Sequence, residues 1–467
     1  MQVVHLHRFG ARPRDLKIIP HLGSPSKGML VGPFRFAVHL ITVLLVLSLA
    51  GNVRADLIIP PITESLESAQ PIAIVPFGWK GRTTTPPIAI AEVISKDLEQ
   101  SGRFAPIPRW ELPSLPTTKG QVNFSNWRLL GANLVIGGMS RLPDGRYEVY
   151  FRLFDVFQKK QLTGYQFQAP SGELRTIAHR ISDAIYEKLT GERGVFSTRI
   201  AYITETRTVA KRKHYTLYVA DSDGENAIRI LGSNQPLLSP AWAPDARKLA
   251  YVSFENGRSH IYVHKLAKNV RNRRQRVASF SGINGAPSWS PDGTQLAMTL
   301  SKDGNAEIYI MRLSNRHLRR MTKNGAIDTE PAWAPDGKSL VFTSDRSGTP
   351  QIYRIPVQGG TPERITFEGT YNARATFSPN GTHLAFVHGE QGAYRIALLE
   401  IDTGILDVLT ETKLDESPSF SPNGSTILYA TTDGQGSALA AVSTDGRVRY
   451  RLAVQKGGVR EPAWSPW

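Results

Sequence analysis

A short phrase of the form Pro-x-aromatic-x-Pro returns six times in the second half of this 467-residue chain, once with alanine in place of its first proline. Its aromatic positions recur every 43 to 47 residues, and they are Trp242, Trp289, Trp333, Phe377, Phe420 and Trp464. This period is typical of the four-stranded blade of a β-propeller and is too long for ankyrin or tetratricopeptide repeats. The repeats therefore predict a propeller.

Each repeat contains the signals of a turn followed by strands. Phrases such as Ser290-Pro-Asp-Gly293 place proline where a type I turn needs φ near −65° and glycine at its end. Apolar β-rich runs follow, for example Leu296–Thr299 and Ile308–Ile310, and then a weaker run at Leu318–Met321. We therefore expect four strands in each repeat.

The two ends of the repeat array complement each other. Ile200–Ile203, Thr216–Val219 and Ile228–Leu231 are later strands without a preceding phrase, whereas Pro462–Trp467 is a phrase with nothing after it. Joining the two fragments gives one blade, so the chain is expected to close a ring of six blades. Closure removes the exposed sheet edges that would otherwise promote aggregation.

Residues 1–55 are predicted to contain a secretory signal peptide. Phe36–Ala50 is a 15-residue apolar stretch after Arg35, and Val53-Arg-Ala55 offers a small-residue cleavage site. A transmembrane anchor is the alternative, although about 20 apolar residues are needed to span a bilayer. Met29 is an alternative translation start. Cleavage after Ala55 would give a mature chain that begins at Asp56, which we expect in the periplasm. The sequence has 0 cysteines, which excludes disulfides and thiolate metal sites.

Residues 56–194 have a different pattern from residues 195–467. Strand-like runs such as Ile72–Phe77 and Tyr147–Val156 alternate with helical spacing over Ile88–Ser101 and Glu173–Leu189. The predicted fold is mainly β: a carboxy-terminal six-bladed β-propeller preceded by a smaller α/β domain of ordinary domain size.

Several stretches across both predicted domains resemble the TolB family of the Tol-Pal cell-envelope system. They are Ile72-Ala-Ile-Val-Pro-Phe77, Glu187-Lys-Leu-Thr-Gly191, Thr198-Arg-Ile-Ala-Tyr202, Ser239-Pro-Ala-Trp242, Asn284-Gly-Ala-Pro287, Thr329-Glu-Pro331, Thr343-Ser-Asp345 and Pro462-Ala-Trp-Ser-Pro466. The resemblance implies a partner-binding scaffold without catalytic activity that supports outer-membrane integrity and constriction at division. It also implies that the propeller binds the lipoprotein Pal and that the mature amino terminus binds TolA.

The residues just before each phrase are expected to meet at one mouth of the central channel, since the same position recurs around the ring. The resemblance assigns Pal binding to Leu238, Ser239, Asn284, Gly285, Ala286, Thr329, Glu330, Asn372, Arg374, Glu416, Ser417, Arg460 and Glu461. It assigns TolA binding to Asp56, Leu57, Ile58, Ile59 and Ile62. The alternative for the mouth residues is plain connecting loop. Ile283, Ala373 and Arg374 depart from the pattern that the resemblance implies at the mouth.

Other candidate sites have simpler structural explanations. One aromatic residue per blade indicates inter-blade core rather than a ligand cage. Asp221–Gly224 lacks the later ligands of an EF-hand and predicts a hairpin turn. No cofactor is expected, although Glu330, Asp415 and Glu461 could hold a channel cation such as calcium. The basic run His264–Arg276 predicts a solvated loop, with anionic lipid or envelope polymer as an open alternative and no nucleic-acid role.

The sequence gives little support to the hypothesis that this protein is an enzyme. Gly-x-Ser-x-Gly, His-Glu-x-x-His and Gly-x-x-x-x-Gly-Lys motifs are absent. A propeller like those of prolyl-oligopeptidase-type peptidases shares the repeat phrase, but no hydrolase domain follows Trp467 in this sequence. A lyase or glycan hydrolase with carboxylates about 5 to 9 Å apart across the channel is the remaining enzymatic alternative.

Overall fold

The structure, a computed structural model, describes residues 69–207, 212–267, 273–434, 436–455 and 457–467. The predicted signal peptide and the predicted TolA-binding segment lie outside these residues. Among the helices within the described ranges, none has the length and apolar character needed to cross a bilayer.

The first part of the described chain is a mixed sheet with helices. Its strands are β1 Gln70–Ile74, β2 Gly78–Lys80, β3 Phe104–Pro106, β4 Asn133–Arg141, β5 Tyr147–Asp155 and β6 Lys160–Ala169. Its α-helices are α1 Ile90–Gln100, α2 Phe124–Arg128 and α3 Leu174–Thr190. The strand order is β3-β1-β4-β5-β6, and β2 pairs with β4. The β1 pairings are parallel, while β4, β5 and β6 form an antiparallel meander.

The long helix of this α/β domain follows from its sequence. Leu174, Ile177, Ile181 and Ile185 are buried on one face of α3, as their spacing predicts. Gly191 ends the helix with φ +80°, and its N–H bonds the Glu187 carbonyl at 2.9 Å. The five-residue helix α2 was not predicted, because one turn is too short to show a helical period.

The rest of the described chain forms six four-stranded blades, which we number from the first repeat. Blade 1 contains β7 Arg199–Arg207, β8 Lys213–Asp221, β9 Ile228–Ser233 and the last strand, β30 Gly458–Trp464; blade 2 contains β10 Leu237–Trp242, β11 Lys248–Ser253, β12 His260–Lys265 and β13 Arg274–Ala278; blade 3 contains β14 Asn284–Trp289, β15 Gln295–Leu300, β16 Glu307–Arg312 and β17 Leu318–Arg320. Blade 4 contains β18 Asp328–Trp333, β19 Ser339–Ser344, β20 Gln351–Pro356 and β21 Glu363–Arg364; blade 5 contains β22 Tyr371–Phe377, β23 His383–Glu390, β24 Ala393–Glu400 and β25 Leu406–Val408; blade 6 contains β26 Leu414–Phe420, β27 Thr426–Asp433, β28 Gly436–Ser443 and β29 Arg449–Arg451. Six blades behind an α/β domain confirm the predicted fold class.

The ring closes by pairing the two ends of the propeller sequence. The last strand, β30, runs antiparallel to β7, with Arg460 opposite Ile203 and Trp464 opposite Ile200. The order β30-β7-β8-β9 therefore completes blade 1 from both ends of the repeat array. This closure confirms the prediction made from the incomplete first and last repeats.

Three of the repeated tryptophans fasten their inner strand to that of the preceding blade. The indole Nε1 of Trp242 donates to the Ala463 carbonyl at 3.0 Å, and Trp289 Nε1 donates to Ala241 at 3.2 Å. Trp333 repeats the contact with Ser288 at 3.2 Å. Their side chains are buried, so the aromatic positions are inter-blade core, as predicted.

We expect removal of the Trp464 side chain to destabilise the propeller strongly. This residue is buried, and its Nε1 donates to Thr198 Oγ1 at 2.8 Å beside the closing ladder. Trp464→Ala should lower the free energy of unfolding by about 3 to 5 kcal/mol, the usual cost of a buried aromatic truncation. Deleting Pro462–Trp467 should cost more, because it also opens the β30–β7 edge.

Chemical denaturation of the mature protein measures both effects. Trp110 is 84% exposed, so Trp110→Ala is the matched control and should change stability by less than about 0.5 kcal/mol. A truncated chain that unfolds at the same denaturant concentration as the complete one would contradict the stabilising role of closure.

Candidate site at the propeller mouth

The inner strand of every blade carries a β-bulge at the same place. In each blade the pairing register shifts just before the phrase, as between Leu238 and Ala241 in blade 2. Six residues at these bulges have left-handed φ values between +44° and +60°, and they are Ser239, Ala286, Glu330, Arg374, Ser417 and Glu461. Such a conformation is costly for residues other than glycine and is common at functional sites.

The bulges turn this ring of residues toward the propeller axis. A cavity of about 390 Å³ lies on the axis and is lined by Ser239, Ala286, Glu330, Arg374 and Ser417 together with the prolines of the phrases. Glu461 joins the same ring, since its carboxylate accepts the Ser239 N–H and the Arg374 guanidinium. The structure thus brings together one predicted site residue from each blade.

The other predicted mouth residues fall into two groups. Leu238, Gly285, Thr329, Glu416 and Arg460 are partly exposed beside the ring, and Arg460 pairs with Glu205 at 3.1 Å. In contrast, Asn284 and Asn372 are fully buried inside their blades.

The two buried asparagines hold loops rather than face the mouth. Asn284 Nδ2 donates to the Phe280 carbonyl at 2.8 Å, and Asn372 Nδ2 donates to Glu368 at 2.7 Å. The expectation that these two side chains contact a partner is therefore replaced by a role in shaping the loops. Their position in the repeat could not reveal this, because position alone does not show which way a side chain points.

The rim of the mouth contains exposed apolar residues. Ile283 and Ile327 immediately precede the inner strands of blades 3 and 4 and are 53% and 54% exposed. Leu414, at the equivalent edge of blade 6, is 39% exposed, and Tyr394 of blade 5 pairs with it across the blades. The sequence pattern pointed to Ile283 but not to Ile327, Leu414 or Tyr394. An isolated aliphatic residue in a polar loop was the available signal.

Arg374 is the electrostatic centre of the channel. Its Nη2 lies 2.9 Å from Glu461 Oε2, and its backbone N–H bonds Thr343 Oγ1 at 3.0 Å. Thr343 Oγ1 in turn donates to Glu330 Oε2 at 3.0 Å. Arg374 therefore places a cation in the channel, close to two carboxylates.

Arg374 affects the two carboxylates unequally. Burial raises the pKa of Glu330, and the opposing charge of Arg374 does not offset it. Burial would also raise the pKa of Glu461, but the guanidinium charge and hydrogen bond outweigh it and lower the pKa. Burial alone would lower the pKa of Arg374, yet the two carboxylates raise it. The guanidinium therefore stays charged.

The three acids proposed to hold a channel cation are not brought together. Glu330 and Glu461 lie near Arg374, which already supplies positive charge there. Asp415 is fully buried in β26 and does not line the cavity.

The basic run His264–Arg276 is described only in part, because residues 268–272 lie outside the described ranges. Within it, Arg274 forms an ion pair with Glu255, and its guanidinium carbon lies 3.6 Å from the centre of the Tyr262 ring. Asp221–Gly224 is a hairpin turn, as predicted.

These features define a six-bladed propeller with an amino-terminal α/β domain and a charged axial channel. The model of the TolB amino-terminal domain matches residues 61–162, and that of the TolB beta propeller domain matches residues 186–467. The chain belongs to the TolB family.

Relatives and a solved structure agree with this assignment. The chain is 59% identical over 406 residues to the Tol-Pal system protein TolB of Nitrosococcus oceani, covering 87% of this chain and 92% of that protein. It is 56% identical to the corresponding protein of Thioalkalivibrio sulfidiphilus, covering 87% and 93% of the two chains. The crystal structure of TolB from Acinetobacter baumannii superposes with a TM-score of 0.77 at 45% identity, covering 85% and 97%.

We expect Arg374→Met to destabilise the propeller in a pH-dependent way. Breaking a buried ion pair costs about 3 to 5 kcal/mol. Because 25% of the Arg374 side chain is exposed, we expect about 2 kcal/mol at pH 7. In the wild type, the depressed pKa of Glu461 stabilises the fold above about pH 4.3, and this contribution is lost as the pH falls through the folded-state pKa.

The variant should reverse that dependence. Without the guanidinium, burial should raise the pKa of both Glu330 and Glu461, so stability should decrease as the pH rises above about 4.3. Thermal unfolding between pH 4 and 8 measures the change, with Arg374→Lys as the charge-conserving control. A methionine variant that melts like the wild type at pH 7 would show that the ion pair contributes nothing to stability.

Proposed function

We propose that this protein is a non-catalytic periplasmic scaffold of the Tol-Pal system. It is exported by its predicted signal peptide, binds Pal at the propeller mouth and binds TolA through its mature amino terminus. It thereby supports outer-membrane integrity and constriction during cell division, and it acts as a monomer that can contact further outer-membrane proteins. The family assignment and the names of the relatives support the Tol-Pal role.

One observation carries the proposal for the mouth: the same backbone bulge in every blade carries serine, alanine, glutamate or arginine. Every blade has the same bulge, but the residues there differ in size and charge from blade to blade. The Ile283 and Ile327 side chains add apolar surface around the charged channel. Exposed aliphatic side chains next to polar groups supply both the apolar area and the hydrogen-bonding groups that protein interfaces bury.

The other end of the propeller is occupied by the α/β domain. Trp467 Nε1 donates to the Gly194 carbonyl at 3.0 Å, and Asn423 Nδ2 donates to Arg193 at 3.3 Å. Both contacts come from the ends of the phrases, whereas the bulges lie toward their beginnings. The mouth is therefore on the end away from these contacts, which supports its use by a partner.

The channel acids favour a structural role over catalysis. Unequal pKa values of neighbouring carboxylates are typical of acid–base pairs. Here, however, the Glu461 carboxylate is occupied by Ser239 and Arg374, and Glu330 accepts from Thr343. Each carboxylate thus has one oxygen, Oε2, held by the protein itself, and Glu461 is paired with Arg374, so the paired-acid hydrolase is the weaker proposal.

We expect substitutions at the apolar rim to weaken Pal binding without changing the fold. Ile327→Arg and Ile283→Arg place a charge on exposed positions at the mouth and should raise the Kd for Pal at least tenfold, about 1.4 kcal/mol. Thr329→Arg, beside the channel ring, should act in the same direction. Isothermal calorimetry measures binding, and thermal unfolding checks the fold.

Ile405→Arg is the matched control for the rim variants. Ile405 is 57% exposed at the turn between β24 and β25, on the end of the propeller away from the mouth. This variant should bind Pal like the wild type. If all three mouth variants also bind Pal like the wild type, the assignment of Pal to this mouth is wrong.

Deletion of Asp56–Glu64 tests the second partner. These residues lie outside the described part of the chain, and the proposal for them rests on the family resemblance. Deletion should abolish TolA binding while leaving Pal binding within the range of ordinary allosteric coupling, about 1 to 3 kcal/mol. Full TolA affinity in the shortened protein, measured by calorimetry, would mean that the segment is only a tail.

A further inference from the structure

The joint between the α/β domain and the propeller contains a buried charged cluster. Helix α1 contributes Asp97, helix α3 contributes Arg175 and His179, and the β8–β9 turn of blade 1 contributes Asp221 and Asp223. Asp97, His179 and Asp223 are each at most 5% exposed. Such groups are costly to bury unless each charge has a partner.

His179 lies between the acids of the two domains. Its Nδ1 lies 2.8 Å from Asp97 Oδ2 within the α/β domain. Its Nε2 points at the propeller, 3.8 Å from Asp223 Oδ2 and 3.9 Å from Asp221 Oδ2. This buried Nε2 has no hydrogen-bond partner among the described residues. The ring therefore spans the joint with one end bonded and the other facing two carboxylates.

The hydrogen bonds determine where a proton is needed. Asp97 Oδ2 lies 2.8 Å from His179 Nδ1 and 2.6 Å from Ser182 Oγ, and an ionised carboxylate can only accept, so beside the Asp97 carboxylate Nδ1 carries hydrogen. In neutral His179, the Nε2 lone pair would then face the carboxylates of Asp221 and Asp223. Two acceptors facing a lone pair repel it, whereas an Nε2–H of an imidazolium would be attracted.

We propose that His179 is a pH-sensitive latch between the α/β domain and the propeller. As an imidazolium it bridges Asp97 of the α/β domain to Asp221 and Asp223 of blade 1. Its deprotonation leaves the carboxylates facing a lone pair and loosens the joint. Arg175, which pairs with Asp223, keeps its charge throughout and is the permanent part of the same contact.

The electrostatic surroundings agree in sign with this geometry. Burial would lower the pKa of His179, but the Asp97 hydrogen bond and the charges of Asp97, Asp223 and Asp221 raise it. Burial raises the pKa of Asp97. The closed joint therefore binds protons that an open joint releases. The His179 contribution is complete below its ordinary pKa of about 6.5 and is lost as the pH rises through the closed-state value.

Other charged or titratable groups surround the cluster. They are Arg175 and Asp183 on α3, Arg199 on β7, Asp221, Asp223 and Glu225 at the blade 1 turn, and Tyr450 on β29. Burial raises the pKa of Asp183 and Asp221, which acts in the same direction from a lower starting pH. Burial also raises the pKa of Tyr450, so this phenol stays neutral. Within this cluster, His179 is the group whose ordinary pKa lies closest to neutral pH.

Native-state proteolysis of the mature protein tests the latch. In the connection over residues 191–198, the Arg193 side chain is exposed, but Asn423 and Trp467 hold the carbonyls of Arg193 and Gly194 against the propeller, so trypsin should cut after Arg193 in proportion to the open population. Rates are normalised at each pH to a peptide of the same sequence. If opening the joint releases one proton from His179, the normalised cleavage rate should rise up to tenfold per pH unit. This rise should extend from about pH 6.5 to the pKa of His179 in the closed joint. His179→Gln should remove this slope, and the control His317→Gln, at an exposed position in blade 3, should retain it.

The wild-type imidazole can also be titrated directly by ring ¹⁵N NMR. We expect the doubly protonated ring at pH 6 and a midpoint above about 6.5. This measurement decides the question even if His179→Gln does not fold. A neutral His179 ring at pH 6, or a glutamine variant with the wild-type cleavage slope, would overturn the proposal.

Discussion

The antiparallel pairing of β30 with β7 is the constraint on which the propeller depends. The two strands are separated by about 250 residues of sequence, yet they form the inner edge of one blade. A ring with this ladder open would expose two sheet edges and the buried face of Trp464. The residues just after β30 also attach the propeller to the segment that follows helix α3, because Trp467 Nε1 donates to the Gly194 carbonyl. The same strand thus contributes to the ring, the channel and the domain joint.

The channel shows how a repeated backbone produces a site that is not symmetric. Each inner strand contains one residue in the left-handed conformation, which costs free energy, and the phrase that follows this residue is almost constant. Rigid neighbours hold that strained residue in place, so the residue type at the bulge is free to vary. In this protein the variable positions include Arg374, Glu330 and Glu461, so the channel contains charges of both signs. The Arg374 guanidinium pairs with the Glu461 carboxylate, and Thr343 donates to Glu330. The apolar rim around them is then the surface available to a partner.

The domain joint follows a different logic from the blade interfaces. Away from the Arg374–Glu461 pair, the tryptophans and aliphatic side chains between the blades make contacts that do not depend on pH. The joint instead combines Arg175, His179 and three carboxylates, whose mutual attraction depends on a proton. A contact of this kind can be weakened without unfolding either domain. That property suits a protein whose proposed partners bind at different parts of the chain.

The sequence alone determined the repeat number, the closing strand and the α/β domain, because these follow from periodic patterns that survive without coordinates. It also located one residue per blade at the channel, since equal positions in a repeat are equivalent around an axis. It did not show that Asn284 and Asn372 point inward, that Asp415 is buried in its blade, or that Arg374 lies near two acids. Those outcomes depend on bulges and on contacts between residues far apart in the chain. His179 meets Asp97 and Asp223 for the same reason: only the folded chain brings α1, α3 and blade 1 together.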